Sequence, residues 1–321
     1  MRHHGFSCSS LYTVTPEQAQ ENLLIDDFEG EGYAELISRF AAPLPLPVIL
    51  DLMGIPREEL QQIKQWCDAW PALIYGRLPL AEQLACAHRL RAFQRYAAAL
   101  IMARRATPQA DMISTMVQAW DAGLDTTLPE LAAMVAELLL AGNETTTCLL
   151  GQALRLLLEK PERWRALCAN PNLISKAVEE ILRFEAPLFG TTRVVTETTV
   201  VHGVTIPAGA PVLLLFGSGN HDERPFACPD EFDLQRPNAR QHLSFGRGIH
   251  TCSGAPLARL HGRVALEVLT SRLPTMQLVP GEPIPMAPNL VRGPIRLVVE
   301  WHTGPAGASE QQHTILNNSN R

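Results

Sequence analysis

The sequence predicts a mainly α fold with small β-sheets segregated near its C-terminal half. Three observations carry that α+β class. A helix-periodic, strongly apolar stretch covers 128–160. Shorter helical patterns lie on both sides of it. After Pro187 the composition turns β-branched, most of all in Arg193-Val-Val-Thr-Glu-Thr-Thr-Val-Val201. The 321 residues are 46% hydrophobic and 19% charged, enough to bury a large core. The expectation is one domain over 1–301, followed by a polar, disordered tail over 302–321.

Taken in order, the first 15 residues show no clear pattern, and 16–28 reads as a short helix. A helix begins at 34–40, and the proline-rich 41–47 interrupts it. Residues 48–53 form a short helix closed by Gly54 and followed by Pro56. Helices are expected over 58–74, 81–105 and 111–122. The long helix over 128–160 has Thr127 as its cap and Pro129-Glu130 in its first turn. It would span roughly 50 Å. Its 131–140 segment is apolar on nearly all sides, as in a helix crossing the middle of a domain. Further helices follow over 161–169 and 172–184. Strands are expected over 193–201, 204–207 and 211–216, with a turn at His202-Gly203. Residues 221–243 read as irregular loop, 255–272 as a helix and 295–301 as a last strand.

Lys plus Arg number 27 against 33 Asp plus Glu, a net charge of −6. That balance argues against a general nucleic-acid binder. The seven cysteines are odd in number and lack a disulfide-like rhythm, which fits a reducing cytoplasm. The basic start lacks the apolar stretch of a signal peptide. The longest apolar helix carries Glu137, Asn143 and Glu144 at its middle, so a membrane span is not expected.

The most informative segment is Phe245-Gly-Arg-Gly-Ile-His-Thr-Cys-Ser-Gly254. It sets Cys252 at the end of a glycine-rich loop, just before a helix. Glycines let the backbone turn tightly and approach a flat ring closely. Helix N–H groups favour a thiolate. A thiolate on haem iron pushes electron density onto the metal. A buried structural cysteine, and a zinc pair of His250 with Cys252, stand beside that reading. The zinc pair lacks a second CxxC-like half.

With every fixed position present, this segment resembles the haem-binding signature Phe-Gly-x-Gly-x-His-x-Cys-x-Gly of bacterial cytochromes P450. Two further segments are similar to elements of that family. Ala141-Gly-Asn-Glu-Thr145 matches its central-helix element, and Glu180-Ile-Leu-Arg183 matches its Glu-x-x-Arg. The resemblance implies haem b (iron protoporphyrin IX) with Cys252 as axial ligand. It implies propionate contacts from Arg193 and His250, and Phe245 shielding the sulfur. Glu144 and Thr145 become the acid–alcohol pair that handles protons. Gly142 and Thr145 are expected to open a local bulge in the long helix. Glu180 and Arg183 are structural, with Arg236 as their third member in place of the usual arginine. Leu140, Ala141, Leu188, Phe189 and Gly190 fall where the family lines its substrate pocket.

The implied activity is insertion of one oxygen atom from O2 into a small or medium hydrophobic substrate. Electrons would come from NAD(P)H through a ferredoxin or flavoprotein partner docking near the Cys252 face. The sequence also departs from the family. The helix that supplies a His/Trp-x-x-x-Arg element to the propionates has no counterpart, and 26–28 and 41–47 match what normally follows it. The expectation is a P450 fold lacking its N-terminal part. The alternative function is a truncated relative that is non-catalytic or binds haem poorly.

Overall fold

The computed structural model describes residues 15–75 and 78–303. The readings for the first 14 residues and for 304–321 of the tail lie outside that range. His302, at the start of that tail, is tied down: its N–H donates to Thr275 Oγ1 at 3.0 Å.

The fold is organised around one helix. Helices α1 (Thr15–Asp26), α2 (Pro45–Met53), α3 (Leu60–Tyr75), α4 (Leu80–Ala106) and α5 (Met112–Asp121) precede α6 (Leu128–Leu158). Its start follows from a reciprocal cap: Thr127 Oγ1 accepts from the Glu130 N–H, and Glu130 Oε2 accepts from the Thr127 N–H at 2.8 Å. The N-terminal half of α6 buries Leu131, Val135 and Leu139 against α2, α4 and α5, including Phe93, Ile101 and Ile113. Its C-terminal half buries Leu150, Leu154 and Leu157 in a second cluster with Phe28, Trp164 and Val299. One helix that is apolar on most sides therefore serves two cores, as its all-round hydrophobicity requires.

Helices α7 (Pro161–Ala169) and α8 (Ile174–Phe184) follow, then strands β2 (Gly190–Val194), β3 (Thr199–Val201), β4 (Val204–Ile206) and β5 (Pro211–Leu215). A four-residue α9 (Phe216–Gly219) leads into the irregular 220–254 stretch, and α10 (Ala255–Arg272) packs against α6 and α8. Strand β1 (Tyr33–Glu35) pairs antiparallel with β7 (Val298–Glu300), which also pairs with β6 (Gln277–Leu278). The mainly helical architecture with small separate sheets is the expected one.

Three local differences have physical causes. Residues 34–40 are helical only in part: Ala34 and Glu35 belong to β1, and a π-helical segment, Ile37–Ala41, follows. The Glu35 carboxylate accepts the N–H groups of Ile37, Ser38 and Leu297, which fixes the strand end. The expected 193–201 strand is two strands, β2 and β3. β2 starts earlier and pairs with β5 from Gly190↔Leu215 to Val194↔Pro211. β3 turns back into β4 through His202 (φ 49°) and Gly203 (φ 81°). The prolines of 41–47 open α2 instead of only interrupting a helix, since Pro45 and Pro47 lack only N–H groups that a first turn leaves unpaired.

Gly54 ends α2 in the left-handed region at φ 68°. Its carbonyl accepts from Arg104 Nη2 at 2.6 Å, and Asp111 lies where a Cβ would sit. Gly54→Ala is expected to lower stability by at least ~1–2 kcal/mol from backbone strain alone, read as a lower urea midpoint with unchanged slope.

Candidate functional site

The glycine-rich loop closes on itself. Gly246 (φ 66°) and Gly248 (φ 74°) adopt conformations that favour glycine, and a short 3-10 turn covers Gly248–His250. The Cys252 N–H donates to Phe245 O at 2.8 Å, and Thr251 Oγ1 donates to Gly248 O at 2.8 Å. Helix α10 starts three residues after Cys252, with Gly254 as its cap and Pro256 in its first turn. The Cys252 side is open, and the residue is exposed. Local desolvation dominates and leaves its thiol above the ordinary value, and the N–H groups of Gly254 and Ala255 and the Arg259 charge oppose that rise only in part. Cys148, buried in α6, has no such help: burial and the nearby Glu144 push its thiol up to about 12.

Two consecutive carboxylates on α8 hold the segment that leads to this loop. Glu180 and Arg183 are fully buried and paired through both oxygens, at 2.7 and 2.8 Å. Arg236 donates to Glu180 Oε1 at 3.1 Å and completes the trio. The two guanidiniums spend their other N–H groups on backbone carbonyls: Arg183 on Asn220, Pro229 and Glu231, Arg236 on Ala227, Cys228 and Glu231. That satisfies the donors that make a buried ion pair tolerable. Asn220 in turn accepts the Leu243 N–H and donates to Ser244 Oγ, which donates to Leu182 O.

Glu179 was not singled out by its sequence context, nor were His242 and Arg259. The signal available was the doubled acid, Glu179-Glu180, on a helix with buried hydrophobic neighbours. The Glu179 carboxylate accepts from Arg259 at 2.6 and 3.2 Å and from His242 Nε2 at 3.2 Å. His242 Nδ1 accepts the Ser244 N–H, so the ring hydrogen sits on Nε2. Burial raises the Glu179 carboxyl, but the bonds from His242 and Arg259 outweigh it and hold it at about 2.

The middle of α6 is an unbroken helix, so the expected bulge is not formed. Gly142 serves close approach instead: a Cβ there would meet Ile49 Cδ1 of α2 at 2.5 Å. The Thr145 hydroxyl donates to Ala141 O one turn back, at 2.7 Å, without opening the helix. Glu144 faces α3. Burial raises its carboxyl, Asp68 adds to the rise and Lys64 opposes it. Glu144 and Thr145 make no direct bond to each other.

Arg193 lies exposed on β2 and donates to Thr191 Oγ1 and Thr192 O. His250 is exposed on the loop. Among the described residues neither is ion-paired with a carboxylate. Leu140 is half-buried against the N-terminal core, and Ala141 beside it is exposed. Leu188 bridges to Val291, the Arg292 guanidinium lies 5.2 Å from the Phe189 ring, and Gly190 is buried where β2 meets β5. Two depressions flank Arg259. One, of about 840 Å³, lies between α8 and α10, and one of about 450 Å³ lies under Phe245 and Gly246. Neither is lined by Leu140, Ala141, Leu188, Phe189 or Gly190.

These residues fit a haem. Cys252 offers an accessible sulfur backed by amides and a guanidinium. A Cβ on Gly248 would meet only open space, and Ile249 beside it is 85% exposed, an apolar surface ready to be covered. Arg193 and His250 are cations or donors without carboxylate partners, suited to propionates. Among the described residues there is no group of three or more His, Cys, Asp or Glu able to hold a metal ion directly, and no helix long and apolar enough to cross a membrane.

Comparison with known proteins gives the same picture. The family model for cytochrome P450 matches residues 48–299. A putative cytochrome P450 of Bacillus subtilis, YjiB, is 38% identical over 268 residues, 81% of this chain and 66% of that protein. The polyketide biosynthesis cytochrome P450 PksS of Bacillus subtilis is 39% identical over 280 residues, 86% of this chain and 67% of that protein. The chain thus spans about two thirds of the length of these relatives. The solved structure of cytochrome P450 CREJ superposes with a TM-score of 0.86 at 35% identity, covering 91% of this chain and 74% of that one.

The Glu179 carboxyl has a pH signature. It is held at about 2 against an ordinary value of 4.5, so its contribution to stability is complete above about pH 4.5. As pH falls towards 2 the unfolded chain takes up the proton first, and that contribution is lost. Urea midpoints measured from pH 6 to pH 3 are expected to fall more steeply for the wild type than for Glu179→Gln.

Proposed function

Because the chain belongs to the cytochrome P450 family, we propose that it is a haem-thiolate monooxygenase acting on a small or medium hydrophobic organic molecule. The observation that carries this reading is Cys252: an exposed thiol just before a helix, in a loop where a Cβ on Gly248 would meet only open space. The balanced reaction is R–H + O2 + 2 e⁻ + 2 H⁺ giving R–OH and H2O. When bound, haem b supplies the oxygen activation and the insertion chemistry.

The chain's own residues do the rest. Cys252 would hold the haem iron through its sulfur, and the N–H groups of Gly254 and Ala255 would help stabilise the negative charge there. Gly246 and Gly248 let the backbone lie close to a flat ring. Phe245 would shield the sulfur from water once a haem covers the open side of the loop. Arg193 and His250 bind the propionates. Glu144 retains its proton to a higher pH than an exposed glutamate, because burial raises it. That suits a carboxyl that holds a proton for the reaction. Thr145 Oγ1 is the alcohol that passes it on, by turning away from Ala141 O. Leu140, Ala141, Leu188, Phe189 and Gly190 face the substrate side. The similar PksS of Bacillus subtilis is a polyketide biosynthesis cytochrome P450, which supports an apolar organic substrate.

The two electrons come from NAD(P)H through a ferredoxin or flavoprotein that docks near the Cys252 face. The working compartment is a reducing cytoplasm, in which free thiols persist; the six described cysteines are all free. Nucleic acid and membrane have no part in the reading.

Haem b added to the purified chain is expected to give the long-wavelength ferrous–carbon monoxide band of thiolate ligation. Cys252→Ala abolishes that band and Cys148→Ala keeps it; equal behaviour of the two variants overturns the assignment. A colourless chain supports the alternative, a P450 relative that is non-catalytic or binds haem poorly. Thr145→Ala is expected to leave haem uptake intact, release peroxide and lower product formation by roughly 10²-fold. Product formed per electron pair consumed measures it, and unchanged coupling removes Thr145 from the mechanism.

A further inference from the structure

We propose that Glu179, acting with His242 and Arg259, is a positioning residue that fastens the Cys252 loop in its ligating shape before any haem arrives. The inference rests on the haem-thiolate reading of Cys252. Its physical basis is a chain of contacts from α8 to the sulfur. Glu179 is only 7% exposed and binds two partners from different parts of the chain. His242 precedes the loop by three residues, and Arg259 sits in the second turn of α10. Both flank one ring: the Arg259 guanidinium lies 4.6 Å from the Phe245 centroid and the His242 ring 5.5 Å from it. A guanidinium over an aromatic face and a neighbouring imidazole hold the ring from two directions. The Phe245 carbonyl accepts the Cys252 N–H at 2.8 Å, which transmits the position of the ring to the cysteine.

The neighbouring trio does a different job. Glu180, Arg183 and Arg236 tether backbone carbonyls from Asn220 to Glu231, upstream of the loop. Among the described residues no hydrogen bond or ring contact joins that trio to Phe245. The carboxylate one residue earlier, on the adjacent side of α8, holds the two side chains that flank Phe245. It also fixes Arg259, whose charge favours the thiolate. Loss of the Glu179 charge therefore frees Phe245 and releases Arg259 together.

Hydrogen exchange on the full chain without added haem tests this. In Glu179→Gln the amides of 243–252 are expected to exchange about tenfold faster, while those of α6 and β7 keep their wild-type rates. His242→Asn keeps an acceptor for the Ser244 N–H but loses the bond to Glu179, and is expected to give the same local acceleration. It carries the test if Glu179→Gln does not fold. Arg240→Ala, whose exposed guanidinium lies 3.5 Å from Glu179, should leave the loop unchanged. With haem b added, the long-wavelength carbon monoxide band should give way in part to a shorter-wavelength one in the first two variants only. Unchanged exchange in both variants, or acceleration spread evenly over the chain, overturns the proposal. A wild-type chain that lacks the band while the variants still loosen the loop upholds the positioning role and overturns the haem reading.

Discussion

The buried trio of Glu180, Arg183 and Arg236 is the constraint on which the site depends. A carboxylate and two guanidiniums in a site with almost no solvent are tolerable only if their donors and acceptors are well used. Here Arg183 uses all five of its N–H groups and Arg236 four, and the acceptors besides Glu180 are backbone carbonyls of a stretch with almost no secondary structure. That is how the 25 residues between Phe226 and Cys252, without a helix or strand of their own beyond short 3-10 turns, keep a fixed course. The loop's geometry is set by α8 electrostatics, not by its own propensity. Breaking such a trio by removing one partner leaves an uncompensated buried charge, a loss of about 3–5 kcal/mol in comparable cases.

The six described cysteines show how environment separates residues of one type. Cys67 and Cys148 are buried with thiols pushed up to about 12, so they behave as small apolar side chains. Cys252 is exposed and meets two backbone amides and a guanidinium that act against its desolvation. The site's selectivity is thus not in the cysteine but in the helix start behind it.

Much of this was legible in the sequence. The long helix announced itself by its cap, its length and its apolar girth. The glycine spacing before Cys252 fixed the turns, and the i, i+3 spacing of Glu180 and Arg183 put both on one face. What failed locally depended on distant partners. Residues 34–40 look helical by composition, yet Glu35 finds Leu297, and β1 finds β7, far along the chain. The mid-helix glycine suggested weakness, but its purpose is to admit Ile49 from a neighbouring helix. Glu179 was hidden because a carboxylate beside a familiar motif carries no mark of its own. Its meaning comes from His242 and Arg259, which only the folded chain brings to it.

The antiparallel register Tyr33↔Glu300 joins residues 267 positions apart. During translation at ~5–20 residues per second the first strand would wait roughly 13–50 s for its mate. Throughout that interval Phe28, packed at completion against Trp301 with ring centroids 5.7 Å apart, has no aromatic partner to cover it. The nascent chain therefore carries an unpaired strand and an uncovered aromatic ring until residues 298–301 have been made.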